Sequence, residues 1–121
     1  MRGELTYIVK RPVVTSKEIL SGQTSVLFSL TVPVAAKVKL TRFGNTLREI
    51  EAWGSVVWSI KRNGIGCNPY DAILDQLGYG ALLFELDLDE FNGGDVITIE
   101  ATNNYIDTVG VGLVLKYELT G

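Results

Sequence analysis

Residues 95 to 119 read DVITIEATNNYIDTVGVGLVLKYEL, and their alternation decides the fold. Ile97, Ile99 and Ala101 fall on one side of an extended chain, with Val96, Thr98 and Glu100 on the other. After the Asn103-Asn104-Tyr105-Ile106-Asp107 loop, Val109, Val111, Leu113, Leu115, Tyr117 and Leu119 line one face against Gly110, Gly112, Val114, Lys116 and Glu118. A period of two is the mark of a half-buried antiparallel strand. The two runs read as a hairpin. Each large apolar side chain gains roughly 1.5–3 kcal/mol by leaving water, so a face carrying six of them needs a second sheet to cover it.

Working back along the chain, the same alternation recurs. Leu5, Tyr7 and Val9 give a first strand over residues 4–10 that Pro12 stops, and residues 11–23 read as polar and turn-like, so that 1–23 forms an N-terminal edge strand or arm. Val26, Phe28, Leu30 and Val32 point inward, with Ser25, Leu27, Ser29 and Thr31 outward. Ala36, Val38 and Leu40 oppose Lys37, Lys39 and Thr41, and residues 43–54 read as a long ordered loop. Val56, Trp58 and Ile60 mark a central strand that closes in Asn63-Gly64, the residue pair favoured in two-residue hairpin turns, before a short return near residues 65–67. Residues 71–77 form the single helix-like window, with Gly78 as its stop. Leu82, Phe84, Leu86 and Leu88 then alternate with Leu83, Glu85, Asp87 and Asp89. Seven main strands, a short eighth and no substantial helix predict an all-β fold over residues 1–121: a single antiparallel two-sheet β-sandwich, with a jelly roll favoured over an immunoglobulin-like arrangement.

The chain has 121 residues, 46% of them hydrophobic, enough to bury a core without metal or disulfide staples. A single cysteine, Cys67, excludes an internal disulfide and points to cytoplasmic synthesis. There is no apolar run after the N-terminal charge and no stretch of eighteen apolar residues, so neither secretion nor membrane insertion is expected. The absence of histidine removes the commonest general base, zinc ligand and pH switch, and no enzyme activity and no cofactor are expected. Cys67 without a histidine partner reads as a buried or turn thiol.

Charge is lopsided. Residues 1–62 hold ten Lys and Arg against four acids, a balance of +6, whereas residues 63–121 hold one Lys against ten acids, a balance of −9. Two interleaved halves can neutralise each other by cross-strand pairs, or the asymmetry can serve head-to-tail contact between subunits. A pI near 4.9 with no basic run among aromatics disfavours nucleic acid. Asp87, Asp89, Glu90, Asn92 and Asp95 gather oxygen ligands around the Gly93-Gly94 turn, but Phe91 stands where calcium would want a ligand, and a solvated acidic turn is expected with no metal bound. Acids on one strand face, such as Glu85, Asp87 and Asp89, keep that face wet.

The segment from Gly94 to Asn104, followed by the strand through Val111 and Tyr117, resembles the closing hairpin of single jelly-roll modules in phage virion proteins; Glu51-Ala52-Trp53-Gly54 through Ile60, and Asn68-Pro69-Tyr70, also look like such proteins. The resemblance implies an accessory, non-catalytic structural role in a virion, as a capsid decoration or cementing protein made in the host cytoplasm, assembled as a symmetric homo-oligomer, a trimer, on a capsid or other virion protein. The alternative is a carbohydrate-binding module or receptor-binding tip, with a glycan held by loop aromatics. Candidate contact residues are Arg48, Glu51, Trp53, Tyr70, Tyr79 and Tyr105, with Trp58 expected in the core. If the strands at 24–32, 109–119, 55–61 and 82–89 are the jelly-roll strands lettered B, I, D and G, then Leu27, Val57, Leu83 and Val114 form one outward apolar stripe that serves as the oligomer interface, with Gly110 and Gly112 admitting a neighbouring backbone.

Overall fold

A computed structural model of the protein describes residues 8–74 and 83–121. The chain runs β1 (Ile8–Ile19), β2 (Thr24–Thr31), β3 (Lys37–Leu47), a single 3₁₀ turn (Ile50–Ala52), β4 (Val56–Arg62), β5 (Ile65–Gly66), β6 (Ile73–Leu74), β7 (Phe84–Glu85), β8 (Phe91–Asn92), β9 (Val96–Asn103) and β10 (Val109–Thr120). The strands form two antiparallel sheets packed as a β-sandwich. The first has the order β1-β10-β3, with β7 and β8 as a broken strand along the far side of β3; the second has the order β2-β9-β4, with β5 and β6 likewise sharing the far side of β4.

The rows expected inward at Ala36, Val38 and Leu40, at Val56, Trp58 and Ile60, at Ile97, Ile99 and Ala101, and from Val109 to Leu115 are buried, but the hairpin expected at 95–119 is not a hairpin. β9 and β10 belong to opposite sheets, and the loop between them crosses the sandwich. Ile97, Ile99 and Ala101 enter the core from one sheet, and Val111, Leu113 and Leu115 enter it from the other. Their cover is therefore each other's sheet. Trp58 and Phe43 fill the centre edge to face, with ring centroids 5.5 Å apart.

Two bulges reset the alternation. In β2, Val26 pairs with Glu100 and Phe28 with Ile99, so Leu27 is an extra residue. The phase flips there: Leu27 is buried, Val26 is exposed, and Phe28, Leu30 and Val32 resume the inward row. In β3, Leu40 pairs with Tyr117 and Arg42 with Lys116, leaving Thr41 as the extra residue, whose hydroxyl donates to the Lys116 carbonyl at 2.9 Å. The inward set shifts from Val38 and Leu40 to Phe43, Asn45 and Leu47, which makes residues 43–47 the second half of a strand where the sequence suggested loop.

The N-terminal segment is an edge strand, one of the two forms expected, but it does not stop at Pro12. β1 runs through Pro12 and pairs with β10 without interruption from Ile8 opposite Thr120 to Ile19 opposite Val109. Pro12 is tolerated because β1 is an edge strand, where a residue without N–H costs no ladder bond. Pro12, the exposed Lys17 in the same register as buried Ile19, and the Leu27 bulge on the other sheet's edge all discourage strand addition. The Asn63-Gly64 turn has φ values of 52° and 82°, the positive pair a two-residue hairpin needs. The helix expected over 71–77 is contradicted at Ile73 and Leu74, which pair with Trp58 and Val57; residues 75–77 lie outside the described residues.

Between β2 and β3, the Ala36 N–H donates to the Pro33 carbonyl at 3.0 Å, and Ala35 has φ 70°, a conformation that the third position of such a turn reserves for glycine. Ala35→Gly is therefore expected to raise stability by about 0.5–1 kcal/mol, read as a higher urea midpoint at unchanged slope.

Candidate functional site

At one end of the sandwich three connections meet: residues 20–23 between β1 and β2, 48–55 between β3 and β4, and 104–108 between β9 and β10. Asn103, the last residue of β9, ties them together. It is wholly buried; its Nδ2 donates to the carbonyls of Ile19 at 2.9 Å and Asp107 at 2.8 Å, and its Oδ1 accepts the Tyr105 N–H at 2.8 Å. Its backbone exchanges bonds with Gly22 and Gln23, and the next residue, Asn104, donates to the Ser55 carbonyl at 2.9 Å. Ser21 Oγ donates to the Tyr105 carbonyl.

A second clamp holds the β3–β4 connection. The Arg48 N–H donates to the Gly110 carbonyl, and Glu49 Oε1 accepts the Gly110 N–H at 2.7 Å. The Arg48 side chain bonds Glu49 Oε2 at 2.6 Å and reaches across β10 to Glu18 of β1 at 2.8 Å. It can lie flat because position 110 has no side chain: a Cβ there would sit 3.0 Å from Arg48 Cζ, and one at Gly112 would collide with the Thr46 hydroxyl. The two glycines thus make room for this chain's own Arg48 and Thr46, not for a neighbouring backbone.

The Gly110 N–H, then the Arg48 guanidinium, hold the Glu49 carboxyl below the usual carboxylate range. Because the folded form has the lower pKa, the stabilisation from this clamp is present above the unfolded carboxylate pKa and is lost as pH falls through the folded one. The Gly110 amide proton is expected to shift in NMR titrations with a midpoint below that of an unperturbed glutamate, and Glu49→Gln should abolish that transition. A Gly110 midpoint at the ordinary glutamate value would contradict the clamp.

On this braced end four large apolar side chains remain in water: Leu20 at 65% exposure, Ile50 at 72%, Trp53 at 40% and Ile106 at 81%. The 3₁₀ turn sets two of them by burying Ala52 and turning Ile50 and Trp53 outward. Of the contact residues expected from sequence, Arg48, Glu51, Trp53 and Tyr105 belong to these connections, with Glu51 exposed and Tyr105 half-buried as a cap packed on the core. Tyr70 does not join them. Its hydroxyl accepts the Asp87 N–H at 3.0 Å and its carbonyl accepts the Ile60 N–H at 2.9 Å, so it closes the side of the sandwich. Tyr79 lies outside the described residues. Leu20, Ile50, Ile106 and Asn103 were not singled out from sequence, although three apolar residues within turn segments were a readable signal.

The expected apolar stripe is not formed. Leu27 is 5% exposed because of the β2 bulge. Val57 is on β4 of the second sheet, whereas Val114 is on β10 of the first and Leu83 precedes β7 on that sheet's far edge. The strands at 24–31 and 56–62 therefore do not neighbour those at 109–120 and 84–85.

The acidic turn at 87–95 is organised around an internal cation. Arg62 donates to Asp95 Oδ2 at 2.9 Å and to the carbonyls of Asp89 and Glu90, and it stacks over Phe91 at 4.1 Å. Asp95 also accepts the Asn92 N–H and the Asn63 side-chain amide, and these bonds with Arg62 hold its carboxyl below the usual range. Among the described residues no three His, Cys, Asp or Glu side chains converge as metal ligands. Cys67 is half-buried, and burial pushes its thiol pKa up, away from nucleophilic reactivity. Arg42–Glu85, Lys61–Glu100 and Arg62–Asp95 join the basic half of the sequence to the acidic half, so cross-strand pairing neutralises part of the asymmetry. Against known proteins, no family model matches this chain and no curated protein matches its sequence.

Proposed function

We propose that the protein is a non-catalytic structural protein of a phage virion, a capsid decoration or cementing subunit that works as a homo-oligomer, a trimer by the resemblance noted above, and binds another virion protein through its loop end. The observation that carries this reading is the braced apolar end: Leu20, Ile50, Trp53 and Ile106 stand exposed on connections that Asn103 and Glu49 fix in place. Apolar groups held on a rigid frame bind a protein surface with little ordering cost. The order of the strands supports the jelly-roll form of the sandwich, since β1-β10-β3-β7 matches the lettered order B, I, D, G once the strand at 8–19 is counted as the first. The carbohydrate-binding reading has less support, because Tyr70 spends its hydroxyl on Asp87 and Tyr105 packs on the core, leaving Trp53 without an aromatic platform among the described residues.

Mass spectrometry of gradient-purified particles from the phage carrying the gene tests the proposal. The protein should appear at a fixed ratio to the major shell protein. Its recovery only in the soluble lysate, together with a sugar-dependent change in Trp53 fluorescence on a glycan panel, would overturn the structural reading in favour of the carbohydrate-binding one.

A further inference from the structure

The charges left over after internal pairing fall into two matched rows. Along β3, exposed Lys37 and Lys39 alternate with buried Val38 and Leu40, and exposed Arg42 stands directly opposite exposed Lys116 of β10. Like charges facing each other across two strands repel. Arg42 has only Glu85 at 3.9 Å, and Lys37, Lys39 and Lys116 have no ion pair among the described residues. Glu118 of β10 stands opposite Lys39 and Glu85 of β7 opposite Arg42, so the counter-charge on this half of the first sheet's outer face is partial, two acids among four cations.

The second row lies on the segment between β7 and β8. Glu85, Asp87 and Asp89 are exposed and alternate with buried Leu86 and half-buried Leu88, and exposed Glu90 follows. Main-chain bonds fix the segment along the side of the sandwich: Leu86 N–H to the Thr41 carbonyl at 2.9 Å, Asp87 N–H to the Tyr70 hydroxyl at 3.0 Å, and the Asp89 and Glu90 carbonyls to Arg62 at 3.0 and 3.2 Å. Their bonding partners reach only the backbone, and the carboxylates of Asp87, Asp89 and Glu90 have no ion pair among the described residues. Lys37 and Lys39 in one row, and Asp87 and Asp89 in the other, are each two residues apart in extended chain, a spacing of about 6.5–7 Å.

We propose that the acidic row of one copy, Asp87, Asp89 and Glu90, docks on the basic face of a second copy, Lys37, Lys39, Arg42 and Lys116. A second copy is the occupant because this chain carries the complementary row at the matching spacing, whereas a long polyanion would meet a protein of net charge −3. The blunted edges of β1 and β2 direct assembly to faces instead of strand addition. Row and face are different sets of residues, bordering each other where β7 and β8 pair with β3, so a single row-on-face contact is head-to-tail and closes into a ring when the rotation permits. The inference rests on reading the protein as an assembling subunit but uses a surface separate from the apolar end.

Sedimentation velocity on the full chain tests it. The wild type should associate at 50 mM NaCl, with its association constant falling by at least about tenfold at 500 mM, because exposed charge pairs are screened over that range. K37E/K39E and D87K/D89K should each sediment as monomers with wild-type far-UV spectra. Mixed one to one, they should co-assemble, since the acidic row of the first meets the basic face of the second and the reversed row of the second meets the reversed face of the first; the quadruple variant should assemble again. A monomeric wild type at both salts, an oligomer indifferent to salt and to both reversals, or a mixture no more associated than its components would overturn the contact. Trp53→Ala should leave sedimentation unchanged; an assembly that Trp53→Ala dissolves and salt does not would place self-association at the apolar end and reject the charged rows, while leaving the virion assignment standing.

Discussion

Trp58→Ala is expected to destabilise the protein by about 3–5 kcal/mol, the range for emptying a fully buried large aromatic site. Trp58 is the largest wholly buried side chain, its strand is the middle of the second sheet, and its ring meets Phe43 edge to face at the centre of the core. Strands on both sides hold β4 in place, through Ala101 on one side and Ile73 on the other, so the surrounding backbone has little freedom to collapse into the space. Trp58 Nε1 has no hydrogen-bond partner among the described residues. Trp58→Phe therefore removes an unsatisfied donor along with some volume and should cost less than about 1.5 kcal/mol, since satisfying or deleting such a group recovers roughly 1–3 kcal/mol. Trp53→Ala, at a 40% exposed site, should cost far less than Trp58→Ala and instead weaken the contact made by the loop end. Urea denaturation of the three variants checks the ordering; equal losses for Trp53 and Trp58 would contradict it.

Asn103→Ala should destabilise by about 3 kcal/mol, more than a surface loop residue would suggest. The truncation strips a hydrogen bond from the Ile19 carbonyl, the Asp107 carbonyl and the Tyr105 N–H at once, and a buried group left unpaired costs roughly 1–3 kcal/mol. The loss should also loosen the end as a unit, with faster amide exchange at Gly22, Tyr105 and the residues around Ser55. Asn103→Asp separates shape from bonding: it keeps the acceptor for Tyr105 but places an oxygen against two carbonyls. It should be at least as damaging at neutral pH and recover in part when acid protonates it. A fully stable Asn103→Asp at neutral pH would show that the three connections are held by packing alone.

Much of the architecture was legible in the sequence because burial in a sandwich has the same period as the strand itself. The inward rows at Ile97, Ile99 and Ala101, at Val111, Leu113 and Leu115, and at Val56, Trp58 and Ile60 follow from residue order, and so does the Asn63-Gly64 turn, whose positive φ values only a few residue types accept. The chain alone therefore determined an all-β, two-sheet fold and which side of most strands is dry.

Tertiary structure decided the rest. Alternation says which side of a strand is buried but not which sheet the strand joins, so β9 and β10 looked like a hairpin while belonging to opposite sheets. The bulges at Leu27 and Thr41 carry no composition of their own; they are set by the partner strand's register, and each inverts the side assignment next to it. Pro12 stops a central strand but not an edge strand, and only the sheet order makes β1 an edge. The contact end depends on convergence of residues 20–23, 48–55 and 104–108. That convergence is held by Asn103 and by Glu49 on Gly110, pairs separated by 84 and 61 positions, and such bonds exist only once the two sheets have closed on each other.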